Sequence, residues 1–226
     1  ERIATVHVEA TREGKEPLSV YRARMVRLQA ALRDERSALA VISFTDQMRY
    51  LAGIAEDGHE RFLALLVPAI GEPAFVVPAI NAQQFHANPA GIERVVEWND
   101  ASGPRAAVAG LLDAYDVSGG DTVFVDDELH AVHLLTLQDV QPGLRCRPIG
   151  PVMAILRGVK APDELAALQR AADLVDETVE ESWRHLRAGM TERQFAAVIA
   201  EGRARTYDMG GKSTTLDMGR AVAEKL

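Results

Sequence analysis

Residues 63–79 read LALLVPAIGEPAFVVPA, two short apolar runs on either side of a glycine. Runs of this length that are bounded by turn residues are typical of buried strands. The pattern predicts two strands, over 61–67 and 73–77, connected around Ile70, Gly71 and Glu72. Gly71 provides the backbone freedom that such a tight connection needs.

Apolar runs on either side of this pair extend the same pattern. ALAVISF at 38–44 and DTVFV at 121–125 are continuous and rich in β-branched residues, which favours strands buried on both faces. Shorter strands are predicted at 94–98 and 144–148. Helices are predicted between the strands, over 18–33, 81–87, 104–115, 127–137 and 151–158. The alternation indicates a mixed α/β layered domain with a boundary near Gly150.

A longer helix is predicted after that boundary. Pro162 suits a first helical turn, and Asp163 and Glu164 add negative charge at the positive end of the helix dipole. Gly189 ends the helix, and Thr191 begins a capping box for another. One apolar stripe runs along about six turns. Its members are Leu165, Leu168, Ala172, Val175, Val179, Trp183 and Leu186.

Composition limits the classes of partner. The net charge of −8 argues against non-specific nucleic-acid binding, which depends on basic contacts to phosphate, and gives no reason to expect attachment to an anionic membrane. The longest apolar stretch, 62–70, is too short to span a bilayer, and the first residues lack the shape of a signal peptide. The single cysteine excludes an intramolecular disulfide. A cytoplasmic location is therefore the expectation.

Several short motifs follow one another in a known order. The chain has a YLAG step at 50–53, the strand pair at 63–79, an LRGVK segment at 156–160 and a GMTE step at 189–192. Together these resemble the creatinase, prolidase and Xaa-Pro aminopeptidase family over residues 18–203. The resemblance implies a three-layer N-terminal domain with a mixed sheet at 18–150. It also implies that 151–203 are the leading helices of a truncated "pita-bread" catalytic domain.

The resemblance implies a peptidase chemistry whose centre this sequence lacks. Family members hydrolyse the bond before proline, or open creatine, with two divalent ions that are often manganese. Two aspartates, a histidine and two glutamates beyond the GMTE helix hold those ions. After Gly202 this chain has only Asp208, Asp217 and Glu224 as carboxylates, and no histidine. We therefore expect no catalytic residues, no metal site and no cofactor.

The two ends of the chain differ from the rest. Residues 1–17 are polar and are expected to be loosely attached. Residues 205–226 resemble the C-terminus of isocitrate and isopropylmalate dehydrogenases, so 204–226 are predicted to be a dehydrogenase-like tail. The matching positions are Arg205, Thr206, Asp208, Gly210, Gly211, Thr214 and Thr215. Such a tail brings no complete cofactor site, and the simplest account is a gene fusion.

Three groups of residues are candidates for chemistry. Asp57, His59 and Arg61 lie in a loop of a region that, by the resemblance, can face an active-site mouth; we favour the alternative of a solvated surface loop. A cluster after the 121–125 strand is either a small metal site or, as we favour, a strand end and an acidic helix start with histidines on a polar face. Its members are Asp126, Asp127, Glu128, His130 and His133. Cys146 has arginines on both sides, which can lower the pKa of a thiol, but on a predicted strand we favour a buried small apolar side chain.

The leading functional hypothesis is a catalytically inactive, peptidase-related binding module that forms a homodimer. The stripe of the long helix would otherwise expose apolar surface, so Leu165, Leu168, Val175, Val179, Trp183 and Leu186 are predicted in or near the contact. Alternatives are part of an Xaa-Pro peptidase whose catalytic half is supplied separately, a regulatory partner of a full-length peptidase, or an unselected fusion product.

Overall fold

The computed structural model describes residues 18–55, 58–185, Gly189 and Thr191, with side chains described up to Asp176 in the last helix. The strands are β1 Ser37–Ile42, β2 Ala64–Pro68, β3 Ala74–Pro78, β4 Arg94–Trp98, β5 Thr122–Val125 and β6 Arg145–Pro148. The helices are α1 Leu18–Asp34, α2 Asp46–Ala52, α3 Ala82–His86, α4 Arg105–Ala114, α5 Ala131–Val140, α6 Gly150–Gly158 and α7 Pro162–His185, and a 3-10 turn spans Ala79–Asn81.

The six strands form one mixed sheet in the order β4-β3-β2-β1-β5-β6. β2 is antiparallel to both β1 and β3, whereas β1, β5 and β6 are mutually parallel and β4 is parallel to β3. β2 and β3 are joined by the short segment 69–73, which suits an antiparallel pair because parallel neighbours need a longer crossover. β1 and β2 are also antiparallel, and their connection contains α2. The predicted mixed α/β fold is therefore confirmed.

Helices cover both faces of the sheet because alternate strand residues point to opposite sides. Ala40 and Ile42 of β1 face a core shared with α1, α2, α3 and α6. Leu39 and Val41 of the same strand face a second core shared with α4 and α5. The chain thus builds three layers, and α6 packs with the sheet domain rather than apart from it.

α1 follows the predicted helical face closely. Tyr21, Met25, Leu28 and Leu32 are all buried, and the last two are fully inaccessible. Gln29 on the neighbouring face donates to the carbonyl oxygens of residues 68 and 71, at 2.9 and 2.8 Å. This helix therefore fixes the β2–β3 turn as well as one core.

One predicted helix is misplaced. The acidic residues at 127–128 suggest a helix over 127–137, but α5 runs from Ala131 to Val140. Residues 126–130 instead form a connection in which Leu129 N donates to the backbone oxygen of Asp126 at 3.0 Å. Side chains that bond to nearby backbone compete with helix formation, which explains the later start.

The chain divides into two compact units, and the sheet domain lies in the unit Glu13–Val159. In the other unit, α7 confirms the predicted long helix, and the Glu164 carboxylate accepts from the Ala161 amide at 2.8 Å. Leu165, Leu168 and Val175 are each more than half exposed. The side chains of Val179 and Trp183, together with Leu186 and residues 204–226, lie outside the described part.

Candidate functional site

The predicted loop site centres on a tight turn at residues 58–61. Arg61 N donates to the carbonyl oxygen of Gly58 at 2.9 Å, and His59 adopts a left-handed conformation with φ of 49°. A side chain at Gly58 would lie 2.9 Å from the Leu63 Cβ and 3.0 Å from the Phe44 ring. Close packing therefore shapes this turn, while Asp57 lies outside the described residues.

Arg61 is anchored at the surface. Its Nε and Nη2 donate to the two carboxylate oxygens of Asp100, at 3.1 and 3.2 Å, and Glu60 lies 3.4 Å from Nη1. The hydrogen bond from Arg61 lowers the pKa of the Asp100 carboxyl, against an opposing effect of desolvation. Two parallel N–H···O bonds hold a guanidinium in a fixed plane. The turn is thus tied to the loop that follows β4.

Behind the turn lies a group of four rings. His133 of α5 is only 4% exposed, and its ring meets the Phe62 ring edge-on with centroids 5.2 Å apart. His130 stacks on His133 at 5.5 Å and contacts the edge of Phe44 at 5.7 Å. Trp98 Nε1 donates to the Phe62 carbonyl oxygen at 2.9 Å and fixes the end of the turn to β4. We call Phe44, Phe62, His130 and His133 the ring cluster.

Burial lowers the pKa of His133, because a charged imidazole loses its hydration inside the protein. The nearby His130 lowers that pKa further, and a hydrogen bond to the Arg61 backbone opposes both effects. The predicted position of the histidines on a polar helix face is therefore wrong for His133. His130 at the helix start remains exposed.

Asp126 has a structural role at the end of β5. It is 4% exposed, and its Oδ2 accepts from Ser43 N at 3.2 Å and from Thr45 Oγ1 at 2.7 Å. Its Oδ1 accepts from Glu128 N at 3.2 Å. These bonds tie the ends of two neighbouring parallel strands together. The favoured interpretation of this residue as a strand-end group agrees with its contacts.

The other acidic residues of the cluster do not converge with it. Asp127 Oδ1 accepts from Gly150 N at 2.8 Å, at the start of α6 rather than of α5. α5 begins without a side-chain cap at His130. Among the described residues, no group of three His, Cys, Asp or Glu side chains is arranged to hold a metal ion. The contacts of this cluster therefore favour the interpretation as strand-end and capping groups over a small metal site.

Two further expectations concern Cys146 and membranes. Burial raises the pKa of the Cys146 thiol, so the flanking arginines do not produce the lowered value that an activated cysteine needs. In the described ranges, no helix is both long and apolar enough to cross a bilayer.

Sequence reasoning missed Phe44, Phe62 and Asp100 as parts of this site. Phe44 and Phe62 are apolar residues inside predicted strands and look like ordinary core positions. Asp100 lies 39 residues from Arg61, and no short-range spacing links the two. Their convergence depends on β4 lying two strands from β2 across the sheet.

With the fold and the turn defined, comparison with known proteins decides the family. The family model described as "Creatinase/Prolidase N-terminal domain" matches residues 24–159. The chain belongs to this family. The match covers the whole sheet, from within α1 to the residue after α6, and includes the turn at 58–61.

Curated relatives and solved structures agree with that assignment. The probable dipeptidase PepE of Mycobacterium tuberculosis is 33% identical over 187 residues, which cover 80% of this chain and 48% of that protein. The solved dipeptidase PepE from Mycobacterium ulcerans is 27% identical, with a TM-score of 0.65 over 92% of this chain and 50% of that one. This chain thus spans about half the length of these two relatives.

A shorter solved protein matches along nearly its whole length. A proline dipeptidase structure from Streptococcus pneumoniae is 26% identical, with a TM-score of 0.54. The match covers 60% of this chain and 98% of that one. A prolidase from Thermococcus sibiricus, at 24% identity and a TM-score of 0.68, shares the fold.

Proposed function

We propose that this chain acts as a binding and assembly module of the Xaa-Pro dipeptidase type and has no metallopeptidase activity of its own. The observation that carries the proposal is the domain that ends with α6, whose fold accounts for 98% of a solved proline dipeptidase chain. Two layers of helices close both cores, so the domain has the features of a unit that folds alone. Such a domain offers surfaces rather than a reaction centre.

α7 supplies the assembly surface in this proposal. Leu165, Leu168 and Val175 follow three- and four-residue steps that also include Ala172. This is the spacing by which paired helices pack side by side. The three large side chains are 54–55% exposed, and an exposed apolar stripe usually marks an interface. The occupant we propose is α7 of a second copy.

Light scattering coupled to gel filtration tests the dimer at micromolar concentration. Leu168→Glu places a charge within the stripe and should give a monomer. Ala166→Glu places the same charge on the opposite side of the helix, because an α-helix turns by about 100° per residue. This variant should leave the dimer intact. A wild-type monomer, or equal effects of the two substitutions, would refute the α7 interface.

The absence of peptidase activity has a direct test. The purified chain is incubated with MnCl2 and an Xaa-Pro dipeptide such as Ala-Pro, and released proline is measured. We expect no hydrolysis above the buffer rate. Manganese-dependent turnover that survives repurification of the chain would overturn the proposal.

A second candidate function is participation in an active Xaa-Pro dipeptidase whose metal-binding half comes from further sequence or from another polypeptide. This chain matches a probable dipeptidase that is about twice as long as the matched segment, and the match favours this second candidate. The test mixes this chain with a polypeptide that corresponds to the remaining half of the mycobacterial dipeptidase. Manganese-dependent hydrolysis in the mixture, but in neither component, would support this candidate over the first.

A further inference from the structure

His133 is a buried titratable group that the proposed function does not use. Its side chain is almost fully inaccessible, and the Nε2 atom has no hydrogen-bond partner among the described residues. The hydrogen bond to the Arg61 backbone engages the ring on the side of the turn. An imidazole held in this way has one nitrogen in use and one in an apolar environment.

The neutral ring fits this environment, and the charged ring does not. Phe62 packs edge-on against it, and His130 stacks on its face at 5.5 Å. Protonation would place a donor on Nε2 with nothing to accept from it, which is costly for a buried charged group. A second protonated histidine at this distance would add repulsion.

Several charged groups on the elements around His133 have partners of their own. On the turn, Arg61 pairs with Asp100 and Glu60. On α4 and α5, Arg105 pairs with Asp139 at 3.0 Å. At the end of β5, the Asp126 carboxyl bonds to Ser43, Thr45 and Glu128. His130 is the titratable neighbour that acts electrostatically on His133, and it carries no negative charge to compensate a proton.

We propose that His133 is a proton-sensitive clamp that holds the turn at 58–61 against the start of α5. The neutral ring packs on Phe62 and bonds to the Arg61 backbone, which fixes His59 and Arg61 on the surface. Uptake of a proton favours a state in which the turn separates from α5 and the imidazole reaches water. Acidification thereby changes the presentation of the turn while the sheet stays folded.

The direction of the effect follows from proton linkage. A group binds protons more weakly in the clamped state than in the released state when its surroundings disfavour the charge. The clamp is therefore fully closed above about pH 6.5, the ordinary value for histidine, and weakens as the pH falls below it. One proton is involved, so the released population rises by at most about tenfold per pH unit.

Hydrogen–deuterium exchange of the full chain between pH 7.5 and 5.5 tests the clamp. Rates are divided by the intrinsic rates for unstructured peptide at each pH, and amides of β1 serve as an internal reference. We expect protection of residues 59–62 to fall on acidification while β1 amides keep theirs. His133→Asn retains a short donor but cannot titrate, and its turn should show no pH dependence.

His86→Asn is the matched control, because His86 is exposed and bonds to Glu97 at the surface. That variant should keep the wild-type pH response. An NMR titration of the wild-type imidazoles gives a measurement that needs no variant: the pKa of His133 should lie below about 6.5, the ordinary value for histidine, and the turn amides should titrate with it. A pH-independent turn, a response that persists in His133→Asn, or a His133 pKa at or above the ordinary value for histidine would overturn the proposal.

Discussion

Removal of the Asp126 carboxyl should destabilise the sheet domain strongly. This carboxyl accepts three hydrogen bonds: two connect the end of β1 with the end of β5, and the third comes from the nearby Glu128 amide. Asp126→Ala leaves the amide of Ser43 without an acceptor, and Ser43 is 1% exposed. Water cannot replace the lost acceptor there unless the strand ends separate.

The expected loss of folding free energy is the sum of three contributions, one for each donor. An unsatisfied buried amide costs about 1–3 kcal/mol, which applies to Ser43 N. The hydroxyl of Thr45 can rotate to water, so its loss is about 1 kcal/mol, close to the net value of an ordinary hydrogen bond. The amide of Glu128 is the least costly, because Glu128 is exposed. We expect a total of about 3 kcal/mol.

Urea unfolding followed by circular dichroism measures the loss. With a denaturant slope of about 2 kcal/mol per M, the midpoint should fall by about 1.5 M. Asp127→Ala is the matched control: its partner, the Gly150 amide, is exposed, so the loss should stay below about 1 kcal/mol. Equal midpoints for the two variants, or a loss below 1 kcal/mol for Asp126→Ala, would refute the structural role.

Two glycine substitutions should change the stability of the sheet domain in opposite directions. Gly53→Ala should destabilise by about 1–2 kcal/mol or more in thermal unfolding, because φ is 69° and the added Cβ would lie 2.5 Å from the Tyr21 hydroxyl. Gly110→Ala should stabilise by about 0.5–1 kcal/mol, since α4 leaves open space there. Burial raises the pKa of the Tyr115 phenol to about 12. The difference between the alkaline absorbance titrations of the wild type and of Tyr115→Phe should therefore show one phenol that titrates at this value; titration near pH 10 would contradict a buried Tyr115.

The sequence predicts the elements of the sheet domain well where one physical signal dominates. The helical stripe that includes Leu28 and Leu32 becomes α1, and the bounds of β4 match the predicted 94–98. The continuous run at 38–44 becomes a central strand covered on both faces. In each case the burial pattern has a period that belongs to one kind of element.

The prediction fails where polar side chains have more than one partner available. Acidic residues at 126–128 suit a helix start, but Asp126 and Asp127 bond instead to β1-end groups and to α6. Those partners lie 83 and 23 residues away along the chain. A local pattern contains no information about such distant donors, so it places α5 too early.

The candidate site shows the same division. His59 and Arg61 stand out in the sequence as a polar loop, and the motif order alone leads to the creatinase and prolidase family, which the match over 24–159 confirms. The ring cluster and the Arg61–Asp100 pair require the residues before β2 to lie close both to α5 and to the loop after β4. Local periodicity determined the elements, and the resemblance carried by the short motifs indicated the family, because both are read from residues that are neighbours in the sequence. The burial of His133 and the anchoring of the turn were decided by tertiary packing, because their partners are distant in sequence.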